Sequence, residues 1–221
     1  MLTINNLSLS IQKVPILNNV KLSINKGETV GLIGRNGAGK TTLMRAIMGS
    51  IPMESGDIFF EKTALHDAVP PVRAVLGIGY LPEDRRLVPH FTVEENIMVP
   101  LWATNQDKDL TRLKWVYDLM PEIGRFADRR ALTLSGGQQK LVALARALVI
   151  GSNLLLLDEP FEGVAPALAQ RLMEVISHLR EENLSVLISE SDYTHSKKVV
   201  DKVYSIERGI ISEMDKSMSA A

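Results

Sequence analysis

The segment GRNGAGKT, residues 34–41, limits the possible folds of this chain more than any other feature. The apolar run ETVGLIG before it predicts a buried β-strand, and residues 40–48 after it have the pattern of an α-helix that ends near Gly49. A glycine-rich loop between a strand and a helix turns backbone N–H groups inward, and the helix N-terminus adds a favourable dipole. The pattern G-x-x-x-x-G-K-[S/T] in this setting therefore predicts a nucleotide phosphate loop.

The side chains and backbone of this loop have separate predicted roles. We expect Lys40 to reach the β- and γ-phosphates, Thr41 to offer its hydroxyl to Mg²⁺, and the backbone N–H groups of Gly39 and Thr42 to bind phosphate oxygens. ATP and Mg²⁺ are thus the predicted cofactors. The predicted nucleotide-binding residues of the loop are Gly34, Arg35, Asn36, Gly37, Ala38, Gly39, Lys40, Thr41 and Thr42.

A second motif, LLLLDE at residues 154–159, supplies carboxylates. Its leucine run lacks polar positions, which predicts a central parallel strand buried on both faces. Asp158 at the end of the strand is predicted to hold Mg²⁺ through water, and Glu159 to act as the general base for the attacking water. The structural alternative for Asp158 is a strand-end cap.

A third motif, LSGGQQK at residues 134–140, precedes a predicted helix over residues 136–149. That helix is expected to carry an apolar stripe at Leu141, Leu144, Ala145 and Leu148. Ser135 is a good N-cap, so one interpretation is a capped helix with a glycine start. The other is a second phosphate-binding helix N-terminus, because the two glycines expose the backbone.

The rest of the chain predicts an α/β fold. Alternating apolar residues near the N-terminus, with a phase slip at Asn5-Asn6, predict antiparallel strands, and KVYSIERGIISEM predicts a hairpin. Between about 84 and 135 the pattern is helical, with breaks expected at Pro89, Pro100 and Pro121. The last residues, KSMSAA, are expected to be frayed.

We therefore predict a single domain over residues 1–221. It combines a mostly parallel sheet with flanking helices, an N-terminal antiparallel β subdomain and a helical subdomain inserted at about residues 84–150.

Composition excludes several other functions. The net charge of −1 provides no basic field, so we expect no nucleic-acid partner and interpret pairs such as Arg85-Arg86 as solvated surface. The lack of cysteine excludes disulfides, zinc thiolates and thiol catalysis. No apolar run approaches the roughly 20 residues of a spanning helix, and the N-terminus lacks a secretory pattern, so membrane association would require another subunit.

In this order and spacing, GRNGAGKTT, LSGGQQK and LLLLDEP resemble the nucleotide-binding domain of an ABC transporter over essentially the whole chain. The resemblance implies a P-loop NTPase (RecA-like) core that hydrolyses ATP in a head-to-tail homodimer or heterodimer. It also implies permease subunits, a solute-binding protein that acts with them, and a position on the cytoplasmic face of the membrane. The residues implied to close over the γ-phosphate bound by Lys40 of the other copy are Ser135, Gly136, Gly137 and Gln138.

Four positions depart from the commonest family pattern. Ile11 stands where an aromatic ring usually stacks on adenine, and Glu83 replaces a Gln but is still predicted to bind nucleotide and Mg²⁺. The segment PFEGVAP after Glu159 lacks its usual Asp. Ser191 replaces the switch histidine and is predicted to take part in catalysis by hydrogen-bonding the γ-phosphate. His195, four residues further on, is either a displaced substitute for the switch histidine or a surface helix residue.

The stretches YLPEDRRLVPHFTVEEN and DEPFEGVAP resemble the branched-chain amino acid and urea-amide importers, which implies an importer and leaves its cargo open. The permease would contact residues 83–105. Its candidate contacts, each favoured as a core position, are Phe91, Val99, Leu101 and Trp102. The alternative is a soluble ABC-type ATP switch in repair or translation. Such proteins usually carry two cassettes, a coiled coil or basic arms, which are not visible in this sequence.

Overall fold

The computed structural model describes residues 1–214, so the expected fraying of residues 216–221 lies outside the described part. The strands are β1 (Leu2–Ile11), β2 (Val14–Ile24), β3 (Thr29–Ile33), β4 (Ser55–Phe60), β5 (Thr63–Ala64), β6 (Ile78–Leu81), β7 (Leu154–Asp158), β8 (Ser185–Glu190), β9 (Lys202–Glu207) and β10 (Ile210–Met214). The α-helices are α1 (Lys40–Ile47), α2 (Pro71–Val75), α3 (Val93–Ala103), α4 (Thr111–Leu119), α5 (Pro121–Gly124), α6 (Gly136–Ile150) and α7 (Pro166–Glu181).

The strands form two sheets. The smaller one is antiparallel, with the order β2-β1-β4-β5. The larger one has the order β10-β9-β3-β8-β7-β6 and is parallel except for β10, which forms a hairpin with β9 on the edge. The predicted fold class, an α/β protein with a mostly parallel sheet and an N-terminal antiparallel element, is confirmed.

The phase slip in β1 is a β-bulge. The pairing with β2 shifts between Ile4 and Leu7, and Asn6 has φ 50. An extra residue in one strand reverses the alternation of side chains, so Ile4 and Leu7 both point into the core although they are three residues apart.

Strand β7 explains why its motif has four consecutive leucines. Leu154 and Leu156 pack in one core cluster, with β1, β2 and α1, whereas Leu155 and Leu157 pack in the other, with the helices α3 to α7. Because successive side chains point to opposite faces, a strand covered on both faces needs an apolar residue at each position.

Two helix predictions need correction. The stripe predicted for α6 understates its burial, since ten of its residues, from Lys140 to Ile150, are buried on all sides of the helix. Pro100 was expected to break the helical pattern but lies inside α3. The helix continues past it to Ala103, with Leu101 buried and the Thr104 hydroxyl donating a 2.8 Å hydrogen bond to the Pro100 carbonyl.

The parallel strands bring distant motifs to one edge of the larger sheet. Strand β8 lies between β3 and β7, with Ile33 opposite Glu190 and Asp158 opposite Ser189. The carboxyl ends of parallel strands meet at the same edge, which is where α/β proteins place their sites. The phosphate loop after β3, the Asp158-Glu159 pair at the end of β7 and Glu190 at the end of β8 are therefore neighbours. Within residues 1–214, no helix combines the length and apolar character needed to cross a membrane.

Candidate nucleotide-binding and catalytic site

The phosphate loop is fixed to the strands on both sides. The Gly34 N–H donates to the Glu190 carbonyl (3.1 Å), and the Gly209 N–H donates to the Ala38 carbonyl (3.0 Å). A Cβ on Gly34 would lie 2.3 Å from the Ile206 carbonyl oxygen, so only glycine permits this close approach. Gly39 has φ +114 and is the N-cap of α1, which directs the helix N-terminus at the loop.

Lys40 is folded over this loop and buried. Its ammonium donates to the carbonyl oxygens of Gly34 and of Arg35, the latter at 3.1 Å. It also lies 3.0 Å from Glu159 Oε1 in an ion pair of two buried side chains. The predicted phosphate ligand and the predicted base thus contact each other directly, and a bound γ-phosphate would compete with the Glu159 carboxylate for Lys40.

Glu159 is held in a strained conformation. Its φ of 47 is in the left-handed region, which costs a non-glycine residue about 1 kcal/mol and is found where surrounding contacts enforce it. Its N–H lies 3.2 Å from the Ser189 carbonyl and 3.1 Å from the Ser189 hydroxyl. The Ser191 N–H donates to Glu159 Oε2 at 3.2 Å. Both the backbone and the carboxylate are therefore positioned by the end of β8.

Ser191 joins this carboxylate to the phosphate loop. Its hydroxyl lies 2.9 Å from Glu159 Oε1 and 2.8 Å from Asn36 Oδ1. A hydroxyl has one proton, so it donates to one of these acceptors at a time. The structure thus brings together four of the predicted site residues from three segments: Asn36, Lys40, Glu159 and Ser191.

Asp158 is fully buried and accepts two hydrogen bonds. The Ser189 hydroxyl donates to Oδ1 (2.7 Å) and the Tyr80 hydroxyl donates to Oδ2 (3.1 Å). Burial, and then the Asp158 charge, raise the pKa of Tyr80 well above its usual value, so the phenol stays protonated and is available as a donor. Sequence reasoning missed both partners, although Ser189 is a polar residue that interrupts the buried strand β8.

Glu83 lies in the loop after β6 and is exposed. Partial burial of its carboxyl raises its pKa, followed by the neighbouring charges of Glu162, Asp158 and Glu159. This edge of the sheet is therefore rich in carboxylates, which attract a divalent cation.

The donor set fits Mg²⁺ that binds together with a nucleotide. Within residues 1–214, no group of three or more His, Cys, Asp or Glu side chains is arranged to hold a metal ion alone. Mg²⁺ usually takes one or two protein carboxylates and completes its shell with phosphates and water. Asp158 and Glu83, with the half-buried Thr41 in the first turn of α1, are compatible with that arrangement.

A buried lysine on α6 also reaches the catalytic strand end. The Lys140 ammonium donates a 2.8 Å hydrogen bond to the Glu159 carbonyl, and the side chain is buried. Burial, and then the nearby Arg85 charge, lower the pKa of Lys140. Sequence reasoning did not single it out, because a lysine at the start of a helix ordinarily indicates solvent exposure.

The N-terminus of α6 faces outward. The exposed Ser135 accepts from the Gln138 N–H (3.3 Å), while Gln138 Oε1 accepts from the Ser135 N–H (3.0 Å), which is a capping box. Half-buried Arg85 donates to the Gly136 carbonyl (3.2 Å), a specific contact that its interpretation as solvated surface does not include. In the described part of the chain, no hydrogen bond or ion pair joins residues 135–138 to the phosphate loop.

The remaining predicted positions have mixed outcomes. Ile11 is at the end of β1 with 41 % of its surface exposed, next to the β1–β2 turn. His195 is exposed, as the surface interpretation predicts, but it precedes a short 3₁₀ turn, Ser196–Lys198, and does not lie within a helix. It also stacks on Phe161, with ring centroids 5.1 Å apart. The His195 ring lines an open cavity of about 220 Å³ that Asn36, Glu159 and Ser191 also line.

A second surface lies on the helical segment. Leu101 is buried and Val99 is half-buried, but the core interpretation is wrong for Phe91 and Trp102, which are 37 % and 44 % exposed. Their rings make an edge contact with centroids 6.4 Å apart. Fully buried Asn96 fixes the loop before α3 by accepting from the Val88 N–H (2.7 Å) and donating to the Val88 carbonyl (3.1 Å).

A phosphate loop after a central strand, with an Asp-Glu pair at a nearby strand end, defines a P-loop protein that hydrolyses nucleotides. The sequence model of the family described as ABC transporter matches residues 17–162, which is more than half of the chain. The chain therefore belongs to the ABC transporter family and is an ATP-hydrolysing subunit of that family.

Individual relatives are similar over nearly the full length. The chain is 36 % identical over 211 residues to the high-affinity branched-chain amino acid transport ATP-binding protein BraG of Pseudomonas aeruginosa, covering 96 % of this chain and 91 % of BraG. It is 34 % identical over 210 residues to the lipopolysaccharide export system ATP-binding protein LptB of Escherichia coli K12, covering 94 % and 87 %.

A solved structure has the same fold. The ADP conformation of MJ1267, an ATP-binding cassette of an ABC transporter, matches with a TM-score of 0.83 and 26 % identity, covering 98 % of this chain and 92 % of that chain.

Proposed function

We propose that this chain is the ATPase subunit of an ABC importer for a branched-chain amino acid-like solute. Two copies, or this chain and a similar subunit, bind ATP head to tail and act on membrane permease subunits at the cytoplasmic face. The observation that carries the ATPase part of the proposal is the direct contact between Lys40 and Glu159 beside Asp158 at one sheet edge, since it joins a phosphate ligand, a base and a metal-side carboxylate. The importer part is supported by the 36 % identity to BraG.

In the proposed mechanism, the loop N–H groups and Lys40 bind the β- and γ-phosphates of ATP. Lys40 then exchanges its ion pair with Glu159 for the γ-phosphate, which frees the Glu159 carboxylate to accept a proton from the attacking water. Ser191, which already contacts that carboxylate, orients the water or the γ-phosphate. Mg²⁺, held by Thr41, Asp158 and Glu83, would neutralise developing negative charge.

The other half of the site is proposed to come from the second copy. The α6 N-terminus is capped, exposed and separate from the chain's own loop, so it is free to meet a phosphate on another molecule. Its backbone N–H groups and dipole favour an anion. Residues 135–138 of one copy would therefore close over the γ-phosphate bound to the other, and its hydrolysis would reopen the dimer.

Phe91 and Trp102 are the proposed contacts for the permease. Phe91 lies on the loop fixed by buried Asn96, and Trp102 lies in α3. Two exposed aromatic rings that pack on each other in this way are typical of a protein-binding surface. The permease subunits would hold the chain at the membrane, and a solute-binding protein would act on the opposite side. The charge balance gives no support for a nucleic-acid partner.

Substitution of Glu159 by Gln tests the proposed catalytic role. Gln keeps the size and a hydrogen-bonding oxygen but cannot accept a proton, so turnover should fall by about 100- to 10,000-fold while ATP binding is retained. The measurements are steady-state phosphate release and equilibrium ATP binding. The variant should also accumulate as an ATP-bound dimer. Turnover equal to the wild type would refute the assignment of Glu159 as the base.

Transport direction requires its own experiment, because the similarity to LptB supports export almost as well as the similarity to BraG supports import. Cells that lack this chain should take up less labelled leucine, isoleucine and valine, and the wild-type gene, unlike its Glu159→Gln variant, should restore uptake. Normal uptake together with defective lipopolysaccharide export would favour the exporter. Co-purification with ribosomes or DNA in place of permeases would favour the soluble switch.

A further inference from the structure

Lys140 is a buried cation that the proposed mechanism does not use. It is 4 % exposed and lies in the first two turns of α6, whose N-terminus carries Ser135. Its ammonium donates to the carbonyl of Glu159 at 2.8 Å. Burying an ammonium group is unfavourable unless it makes specific interactions, so this contact indicates a particular role.

The contact completes a set of restraints on one residue. The Glu159 N–H is bound by Ser189 and its carboxylate by Lys40 and Ser191, all from the β3–β8 side of the site. Lys140 binds the carbonyl and belongs to a helix. A left-handed φ at a non-glycine residue persists only where neighbours enforce it, and the orientation of the Glu159 peptide sets the direction of its side chain.

The same ammonium lies beside carboxylates that repel one another. Glu162, Glu83 and Glu159 are close enough to favour its charged form electrostatically, whereas the positive charge of Arg85 disfavours it. A positive charge at this position offsets repulsion among the carboxylates and keeps them near each other.

We propose that Lys140 is a positioning residue for Glu159, which fixes the Glu159 carbonyl and thereby joins the catalytic base to the helix that contacts the other copy's nucleotide. This inference rests on the proposed role of Glu159 as the base. When ATP takes Lys40 away from the Glu159 carboxylate, the contact with Lys140 remains, because it involves the backbone.

Lys140→Met tests the inference, because Met retains most of the length and the packing of Lys but cannot donate a hydrogen bond. We expect kcat to fall about 10- to 100-fold, the effect of a small misplacement of a catalytic group. The equilibrium affinity for ATP should change by less than about threefold, since Lys140 does not contact the nucleotide. Lys140→Arg should recover much of the lost kcat by restoring a charged donor.

Arg112→Met is the matched control. Arg112 is also a largely buried cation that donates to backbone carbonyls of α6, but at its other end, to Leu148 (2.9 Å) and to Gly151 beyond it (3.1 Å). It should lower the melting temperature without lowering kcat per folded molecule. If Lys140→Met does not fold, Lys140→Gln, which keeps a shorter neutral donor, replaces it and should also lower kcat.

Three results would overturn the inference: full kcat in folded Lys140→Met or Lys140→Gln, a loss that Lys140→Arg does not reduce, or an equal loss in Arg112→Met. Glu159→Gln measured in parallel separates this failure from failure of the proposed function. If Glu159→Gln is inactive and Lys140→Met is fully active, only the positioning role is wrong. If Glu159→Gln itself remains active, the role of Glu159 as the base is wrong.

Discussion

The two polar regions that carry the proposed chemistry are built in opposite ways. At the sheet edge, the charged side chains are buried and pair with each other, as Lys40 does with Glu159. At the N-terminus of α6, Ser135 is exposed, and the capping box uses only local contacts with Gln138. A buried cluster of charges folds only if the chain itself satisfies it, whereas an exposed helix end can remain available for a ligand on another molecule.

This contrast between buried, paired charges and an exposed helix end predicts different effects of substitutions in the two regions. Substitutions at the sheet edge should alter both the stability of the single chain and its nucleotide binding, because the same side chains form the buried ion pair and the proposed nucleotide site. Substitutions at the α6 N-terminus that preserve the cap should leave the chain stable and able to bind ATP, and should affect only what requires a second copy.

Of the substitutions at the sheet edge, Lys40→Ala should have a larger effect on ATP binding and stability than Glu190→Gln. Loss of the phosphate ligand is expected to weaken ATP binding roughly 100-fold, as for truncation of one partner in a buried charge pair. It also leaves the buried Glu159 carboxylate without its cation, which should lower the free energy of unfolding by about 3 kcal/mol. Isothermal titration and denaturant unfolding measure the two effects.

The double variant Lys40→Ala/Glu159→Gln is the control for the stability effect. A neutral side chain at position 159 removes the unpaired charge, so the double variant should unfold at a higher denaturant concentration than Lys40→Ala alone. If both variants are equally unstable, the ion pair does not explain the effect on stability.

A smaller effect is expected from Glu190, whose buried carboxyl accepts from the Ser196 N–H (3.2 Å) and hydroxyl. Burial raises the pKa of Glu190 from 4.5 to about 7. The folded state therefore binds this proton more tightly than the unfolded state does. Its stabilising contribution is complete below pH 4.5 and is lost as the pH rises through 7, by at most about 3 kcal/mol.

Glu190→Gln should remove this component of the pH dependence. The free energy of unfolding of the wild type, relative to that of Glu190→Gln, should fall as the pH rises from 4.5 to 7, and a constant difference would contradict the raised pKa. A neutral substitution at the α6 N-terminus, Ser135→Asn, should leave the wild-type pH dependence unchanged, because no titratable group is removed there.

The sequence predicted the parts of the site that are contiguous in the chain. The phosphate loop, the strand LLLLDE and the capped helix each follow from local pattern. The contacts between them depend on the strand order β3-β8-β7, which motif spacing does not specify. For this reason the bonds of Tyr80, Ser189 and Lys140 to the Asp158-Glu159 pair were not predicted. The stacking of His195 on Phe161 was not predicted either, because the two residues are distant in sequence.

The errors on the helical segment have a related cause. Apolar residues at helical spacing predict a buried face, but they do not say which side of the helix another element covers. Helix α6 is covered on all sides from Lys140 onward, whereas α3 leaves Trp102 exposed. The division of the chain into a core and a helical subdomain at residues 84–150 remains a prediction, since the helices α3 to α6 share their core cluster with β7 and β8.

The central claim is that two chains complete each site, and Ser135→Asp tests it most directly. Asp is as good an N-cap as Ser, but its negative charge would repel the other copy's γ-phosphate, and Ser135→Asn is the neutral control. In a Glu159→Gln background with ATP and Mg²⁺, sedimentation velocity should show a dimer both for the chain that keeps Ser135 and for the Ser135→Asn control. The Ser135→Asp variant should remain a monomer that still binds ATP. If it dimerises as readily as the control, the two-chain site is contradicted.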